Sequence, residues 1–334
     1  MTPHADYGAI TTDSESCFLC GASSESITDE HVFPRWLQSR YNLSSSKVDL
    51  LNETTIRYRQ LKIPCCAACN NGVLSELEST ISKAVTGGYC TSRSLDPRLW
   101  CLWAGKLYFG ILRKELNLRR ERSNLSARSI VQEEGLNSFR SLHLFLQGIR
   151  GKHEFIGEVP YSVLVCNLHD LGGSRSYSFR DSLAYMTLSI RMGDVGVLVS
   201  FEDHGLTTSS YGRYVHDLNH RKLHPLQFDE LYARATYQVS LIESSVNYLT
   251  EFDVDGARVA RTSVYGTPHL RERSNEELAE VLRAHLSHWV KRPTEGEVQW
   301  HVLPDLVPTW MTGENGDVLV KSLPEWEVEA KLAA

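Results

Sequence analysis

The chain has 334 residues, 42% of them hydrophobic, and a net charge of −6 at neutral pH. This length predicts about two domains with apolar cores, and no apolar run reaches the ~18 residues that a membrane span needs. The first residues lack the charged and apolar regions of a signal peptide, so we expect a cytoplasmic protein with reduced cysteines.

Two cysteine pairs near the start of the chain have the spacing of metal knuckles. Cys17 and Cys20 form the first pair, and Cys66 and Cys69 form the second. Each Cys-x2-Cys knuckle offers two thiolates, so two knuckles complete the tetrahedral shell of a structural zinc ion. Cys65 adjoins Cys66 and is an alternative ligand, but only Cys66 has the x2 spacing. The alternative to a metal site is a disulfide or a set of buried thiols.

An acidic residue and a histidine, Glu30 and His31, follow one another between the knuckles. An imidazole with a pKa near ~6.5 is suited to activate water at neutral pH. On an extended strand the preceding carboxylate points to the other face, where it is a candidate ligand for a divalent ion. Pro34 then ends strand pairing. A surface pair without function is the alternative, but the position between two knuckles favours chemistry.

A helix is predicted to begin directly after the second knuckle. Asn70 or Asn71 can cap it, and the apolar positions continue through Leu74 and Ile81. An amide oxygen at the helix start is also a candidate ligand for a hard cation, and the two asparagines can share these roles. We expect Glu78, on the same helix, to lie on a solvated face, and the alternative is that it supports the metal ligands from behind.

Taken in order, these segments resemble an HNH endonuclease of the zinc-knuckle type. The resemblance covers roughly residues 15 to 80 and is carried by Cys-x2-Cys, Glu-His-Val-Phe-Pro-x-Trp-Leu, Cys-x2-Cys-Asn-Asn and Leu-Ser-x-Leu-Glu. It implies a ββα-metal fold, in which a two-stranded hairpin and a helix hold one catalytic ion.

The resemblance also implies roles for individual residues. His31 would be the general base that activates water, and Glu30 would ligate the catalytic ion where the family usually has Asp. Asn70 would be the ligand from the helix. The middle asparagine of the family name corresponds to Asn52, the one asparagine between Asn42 and Asn70.

The cofactors and partners implied by the resemblance are a structural Zn²⁺, a catalytic Mg²⁺ or another divalent ion such as Mn²⁺ or Ni²⁺, and DNA. Nucleases of this kind with appended domains resemble restriction and antiphage effectors. Cutting both strands often needs two sites, which makes a homodimer an expectation.

The chain divides into four predicted parts: a leader at 1–14, the nuclease module at 15–90, a basic linker helix at 97–128 and an accessory domain at 130–334. The linker carries eight basic residues against two acidic ones between 98 and 128. Such a stripe is suited to phosphate contacts, or else it is a solvated helix face. The candidate DNA-binding residues are Arg113, Lys114, Arg119, Arg120 and Arg122.

The accessory domain has a different pattern, which predicts an α+β fold with an antiparallel sheet. Strands are predicted at 142–146, 161–165, 184–190 and 195–199, with a turn at Gly193-Asp194 between the last two. A helix is predicted at 274–290, capped by Ser274 with Glu277 three residues on. Residues 225–245 fit either a helix or a strand.

Two functions of different classes follow from these patterns. The first is a metal-dependent HNH endonuclease that hydrolyses phosphodiester bonds in DNA, with residues 130–334 selecting the target or controlling activation. The second is a non-catalytic, zinc-stabilised module that binds nucleic acid or protein. Residues 130–334 are also a candidate sensor for an activating ligand or a partner protein that the sequence does not identify.

Overall fold

The computed structural model describes residues 15–23, 26–50, 54–116, 118, 133–218, 220–244, 247–252, 259–289, 309–312, 319 and 321–322. The fold is mixed α+β, as predicted. It divides into two units. Unit 1 comprises Met1–Thr86, Leu95–Gly157 and Tyr248–Tyr265, and unit 2 comprises Gly87–Ser94, Glu158–Asn247 and Gly266–Ala334. The predicted division into leader, nuclease module, linker helix and accessory domain stays a prediction.

The helices of the described residues are α1 Arg35–Arg40, α2 Ser75–Thr86, α3 Gly88–Ser94, α4 Pro97–Leu116, α5 Glu133–Asn137, α6 Arg140–Leu146, α7 Leu206–Asp217, α8 Pro225–Ser240 and α9 Asn275–Leu286. The strands are β1 Ile27–His31, β2 Lys47–Asp49, β3 Thr55–Arg57, β4 Lys62–Cys66, β5 Lys152–Ile156, β6 Ser162–Asn167, β7 Tyr177–Ser182, β8 Thr187–Met192, β9 Val195–Ser200, β10 Ile242–Ser244, β11 Asn247–Phe252, β12 Val259–Tyr265 and β13 His269–Leu270. Within this part of the chain, none of the helices combines the length and the apolar character needed to cross a membrane.

Unit 1 is organised around an antiparallel pair of strands, β1 and β4. Ile27 lies opposite Cys66 at one end of the ladder, and His31 lies opposite Lys62 at the other. The connection between these strands contains α1 and the small antiparallel pair β2–β3. After β4 the chain forms a π-helical segment, Cys69–Leu74, that leads directly into α2. The strand pair is therefore followed by a helix, with α1 and β2–β3 inserted between its two strands.

The long helix α4 belongs to the core of unit 1. It begins as predicted, because Asp96 Oδ1 accepts a hydrogen bond from the Arg98 amide at 2.9 Å. Its buried side chains include Trp100, Trp103 and Tyr108, so the predicted linker helix is instead a central helix of this unit. The reason is its composition, since a helix that is apolar on most of its circumference must be buried on most of it.

Helix α6 corrects one predicted element. Residues 142–146 were expected to be a strand because the segment is short and rich in apolar residues, but they lie in a helix. Leu142, Phe145 and Leu146 are buried, and their i, i+3, i+4 spacing defines one helix face. A five-residue apolar run fits both periods, and burial of this face within unit 1 selects the helix.

Unit 2 contains the predicted antiparallel sheet, with strand order β6-β9-β8-β7. Its central strands β8 and β9 are buried along their whole length, and Gly193 forms the predicted turn between them with a φ of 67°. The ambiguous stretch at 225–245 contains α8 followed by β10. Helix α9 is capped as predicted, because Ser274 Oγ accepts from the Glu277 amide at 3.3 Å.

Candidate metal centre and adjoining groove

The two predicted knuckles converge into one cluster of four buried thiols. The sulfur atoms of Cys17, Cys20, Cys66 and Cys69 all lie within 4.8 Å of one another, and Cys20 Sγ is 3.7 Å from Cys66 Sγ. A tetrahedral zinc ion with Zn–S bonds of ~2.3 Å places its sulfurs about 3.8 Å apart. The four thiols therefore fit a closed zinc site, which would supply a structural cross-link.

A fifth thiol lies beside this cluster. Cys65 is buried, and its Sγ is 3.8 Å from that of Cys17, but the set that converges as a metal-binding group contains Cys66, as the spacing predicts. Contacts with the side chains of Cys20, Cys65 and Cys69 hold the pKa of Cys17 well below its ordinary range, and the contact with Cys17 raises the pKa of Cys20 and Cys69. Thiols bind a metal ion as thiolates, so loading of this cluster would release protons.

The first knuckle is held by its own turn and by α6. The amide of Gly21 donates to Cys17 O at 2.8 Å, and Gly21 has a φ of 71°, which favours glycine there. From α6, Gln147 Nε2 donates to Leu19 O at 2.8 Å and His143 Nε2 lies 3.2 Å from Phe18 O. Burial lowers the pKa of His143 to about 4, so at neutral pH it is an uncharged donor.

His31, at the end of β1, lies at the edge of an open groove of about 530 Å³. The side chain of His31 is half-buried, whereas the two arginines that line the groove, Arg35 and Arg59, are exposed. None of the eight described residues that line the groove is acidic. They are His31, Arg35, Gln38, Ser39, Asn42, Ser44, Ser45 and Arg59.

The imidazole of His31 is held on one side by the buried side chain of Gln38. Nε2 of Gln38 donates to Phe33 O at 2.8 Å and lies 3.4 Å from Nδ1 of His31. The second contact is long for a hydrogen bond. Burial, followed by the positive charges of Arg35 and Lys62, lowers the pKa of His31 below its ordinary value of 6.5. His31 is therefore neutral at pH 7 and able to accept a proton.

Glu30 points away from this groove and binds a buried lysine. Lys106 Nζ of α4 lies 2.6 Å from Glu30 Oε1 and 2.8 Å from Glu78 Oε1. It also donates to the main-chain carbonyls of His31 at 2.6 Å and Val32 at 3.0 Å. We refer to Lys106 with these four oxygens as the Lys106 cluster. Glu78, expected on a solvated face, is instead part of a buried ion network.

The charges in the Lys106 cluster depend on one another. Burial acts to lower the pKa of Lys106, but the carboxylates of Glu78 and Glu30 outweigh it, and the pKa is raised. Burial raises the pKa of Glu78, with Lys106 opposing and Glu30 adding to the rise. Lys106 therefore stays an ammonium ion across the physiological range, as expected for a fully buried cation with two carboxylate partners.

The predicted ligands of a catalytic ion are bound elsewhere. Glu30 is engaged by Lys106, and Asn70 Nδ2 donates to Thr28 Oγ1 at 2.9 Å. Among the described residues, the four cysteines are the one group of three or more Cys, His, Asp or Glu side chains whose ligand atoms converge. Because its carboxylate is bound to Lys106, Glu30 does not fit its implied role as ligand of a divalent ion.

The remaining predicted residues are distributed as follows. Asn52, Arg119, Arg120 and Arg122 lie outside the described residues. Arg113 is fully buried in α4, so in this structure it is not a surface contact for DNA, and Lys114 is half-buried.

Sequence reasoning missed the two groove arginines and the role of Lys106. The groove arginines carry no local signal, because Arg35 and Arg59 come together only through the fold. Lys106 had a signal: it is a single charge in the apolar stretch Leu99–Leu112, where a buried lysine requires a buried partner.

No protein-family model, no curated protein and no solved structure matches this chain. We therefore argue its function from the geometry of the described residues alone.

Proposed function

We propose that unit 1 is a zinc-stabilised, HNH-type endonuclease that hydrolyses phosphodiester bonds in DNA. The observation that supports this most directly is the groove at His31. A neutral histidine lines the same groove as two exposed arginines, and no carboxylate is among the eight described lining residues. Such a groove suits a phosphate group that is attacked by water.

The chemistry assigned to the groove uses His31, Arg35 and Arg59. A water molecule attacks phosphorus while His31 takes its proton, the bond to the leaving oxygen breaks, and that oxygen is protonated from solvent. The contact from Gln38 to His31 Nδ1 is long enough for water to replace it. The guanidinium groups bind the phosphate oxygens and stabilise the charge that develops on them.

The proposed zinc ion has no chemical step. Its four cysteine ligands leave no open position, so its contribution is to hold the knuckles and the ends of β1 and β4 together. No step uses a divalent ion either, because the carboxylate of Glu30 is engaged by Lys106.

The test is cleavage of supercoiled plasmid by the full chain, beside His31→Ala and the control His216→Ala. His216 is an exposed histidine on α7 of the other unit. We expect His31→Ala to lose at least ~100-fold in rate, since a general base contributes about that much or more, with zinc content and fold retained. Cleavage that survives in His31→Ala would contradict the proposal.

A second candidate function is a non-catalytic zinc module that binds nucleic acid. The observation that favours it is the engagement of Glu30 by Lys106, which removes the family's expected metal ligand. Binding of DNA that weakens steeply with salt, without cleavage by the wild-type chain under any ionic condition, would support this module over the enzyme.

A further inference from the structure

We infer that the Lys106 ammonium takes the place of a divalent ion at Glu30, so that unit 1 binds no divalent ion there and its hydrolysis does not require one. The part of this inference that concerns hydrolysis rests on the proposed function. The part that concerns cation binding does not.

The oxygen shell around Lys106 Nζ is of the kind that binds hard cations. Two carboxylate oxygens and two main-chain carbonyl oxygens lie 2.6 to 3.0 Å from one nitrogen. Divalent ions such as Ca²⁺ and Mg²⁺ are bound by the same mixture of carboxylate and carbonyl oxygens. The ammonium ion has three protons for four acceptors, so it occupies the point on which these four oxygens converge.

The net charge of the cluster explains why one ammonium suffices. Two ionised carboxylates facing a single positive charge would leave one negative charge in a buried place. Burial and the neighbouring Glu30 raise the pKa of Glu78, which favours its protonated form and reduces this excess. A divalent ion would neutralise both carboxylates, whereas the lysine neutralises one of them and the raised pKa of Glu78 reduces the cost of burying the other.

The position of α4 prevents exchange of Lys106 for an ion from solution. Lys106 is fully buried, and one turn further along α4 the glycine Gly110 lies against β1. A Cβ atom there would be 3.1 Å from the Val32 side chain, a close approach that brings this part of α4 against the end of the strand. Withdrawal of Lys106 would break all four contacts and expose the helix core.

Lys106 also has a consequence for the groove, as a positioning residue. It donates to the main-chain carbonyl of His31 at 2.6 Å, so it fixes the backbone that carries the imidazole. Because Lys106 is fully buried it touches no phosphate, and charge stabilisation at the phosphate falls to Arg35 and Arg59.

The first test measures Mn²⁺ binding to the zinc-loaded full chain by electron paramagnetic resonance. We expect no site in the wild type at millimolar Mn²⁺. Lys106→Ala, which empties the shell, should gain one Mn²⁺ per chain and lose it again in Lys106→Ala/Glu30→Gln. The matched control Lys106→Met, which keeps the volume filled, should gain none.

One Mn²⁺ per wild-type chain that disappears in Glu30→Gln would overturn the inference. This arm remains decisive even if Lys106→Ala fails to fold, because it uses only the wild type and a carboxylate-to-amide change.

The second test measures plasmid cleavage after dialysis against EDTA, with retained zinc verified by elemental analysis. We expect a rate within about two-fold of that in Mg²⁺. A loss of ten-fold or more that Mg²⁺ restores would overturn the inference. If the wild type cleaves no DNA in either condition, the proposed function fails, and the Mn²⁺ measurement alone decides whether Lys106 excludes the ion.

Discussion

Replacing Lys106 with methionine should destabilise unit 1 by about 3–5 kcal/mol, the range found when one partner of a buried ion pair is removed. Methionine keeps the length and apolar volume of the lysine stem, so little packing is lost. The loss comes from Glu30 and Glu78, which then face no ammonium. Three charge-assisted hydrogen bonds at about 1.5 kcal/mol each give a similar figure.

The loss of stability in Lys106→Met should depend on pH, and the raised pKa of Glu78 sets the direction of that dependence. A carboxyl whose folded-state pKa is raised adds stability below its unfolded pKa, and that stability is lost as the pH rises through the folded value. Lys106 opposes the rise in the pKa of Glu78, so its removal raises that pKa further. The protonated carboxyl is tolerated in the core, and the destabilisation should therefore be larger at pH 8 than at pH 5.

The assay is urea unfolding of the zinc-saturated chain, followed by tryptophan fluorescence. Trp103 lies 6.1 Å from Trp36 and 6.0 Å from Trp100 between ring centroids, so these rings report on unit 1. The control variant Lys106→Met/Glu78→Gln should recover at least about 1 kcal/mol at pH 8, because it removes one of the uncompensated charges. A loss below 1 kcal/mol, or an equal loss at both pH values, would refute the reasoning.

Three further predictions concern the metal centre, the groove and the loss of stability at acid pH. Cys66→Ser should abolish zinc binding measured by elemental analysis, whereas Cys65→Ser should keep about one zinc per chain; equal losses would argue against Cys66 as the ligand. The rate of plasmid nicking should rise with pH through an apparent pKa below 6.5, and Arg35→Ala should raise that apparent pKa, since Arg35 lowers the pKa of His31. A wild-type rate that rises through an apparent pKa above 7 would exclude His31 as the base. His143 has a pKa of about 4 in the folded chain, so the unfolded chain binds its proton more tightly, and the free energy of unfolding should fall by roughly 3 kcal/mol between pH 6.5 and pH 4. In His143→Gln the free energy of unfolding should depend less on pH over this range, and an unchanged dependence would contradict the assignment.

Local patterns were enough to predict the metal centre and several elements. The x2 spacing of a knuckle is a property of four consecutive residues, and it selects Cys66, the cysteine that lies in the converging set. The cap of α9 at Ser274 is local in the same sense. Helix α6 was missed because a short apolar segment fits either period, and burial of one face decided between them.

The partners of Lys106 could not be predicted from local patterns. The lysine is on α4, Glu78 is on α2 and Glu30 is on β1, so their meeting depends on how three elements pack. The resemblance assigned Glu30 to an ion because it carries no information on residues outside the motif. A lysine in an apolar helix indicates that a buried partner exists, but the helix sequence does not identify that partner.

The zinc knuckle lies at one end of a ladder and His31 lies at the other. Cys66 pairs with Ile27, and four residues further, ~14 Å along the strand, His31 pairs with Lys62. Since strand side chains alternate between faces, a slip of one residue would turn His31 away from the groove and towards the side of the Lys106 cluster. A zinc ion on Cys66 therefore keeps the two strands aligned, and a chain without its metal could retain both strands while presenting His31 on the wrong face of the sheet.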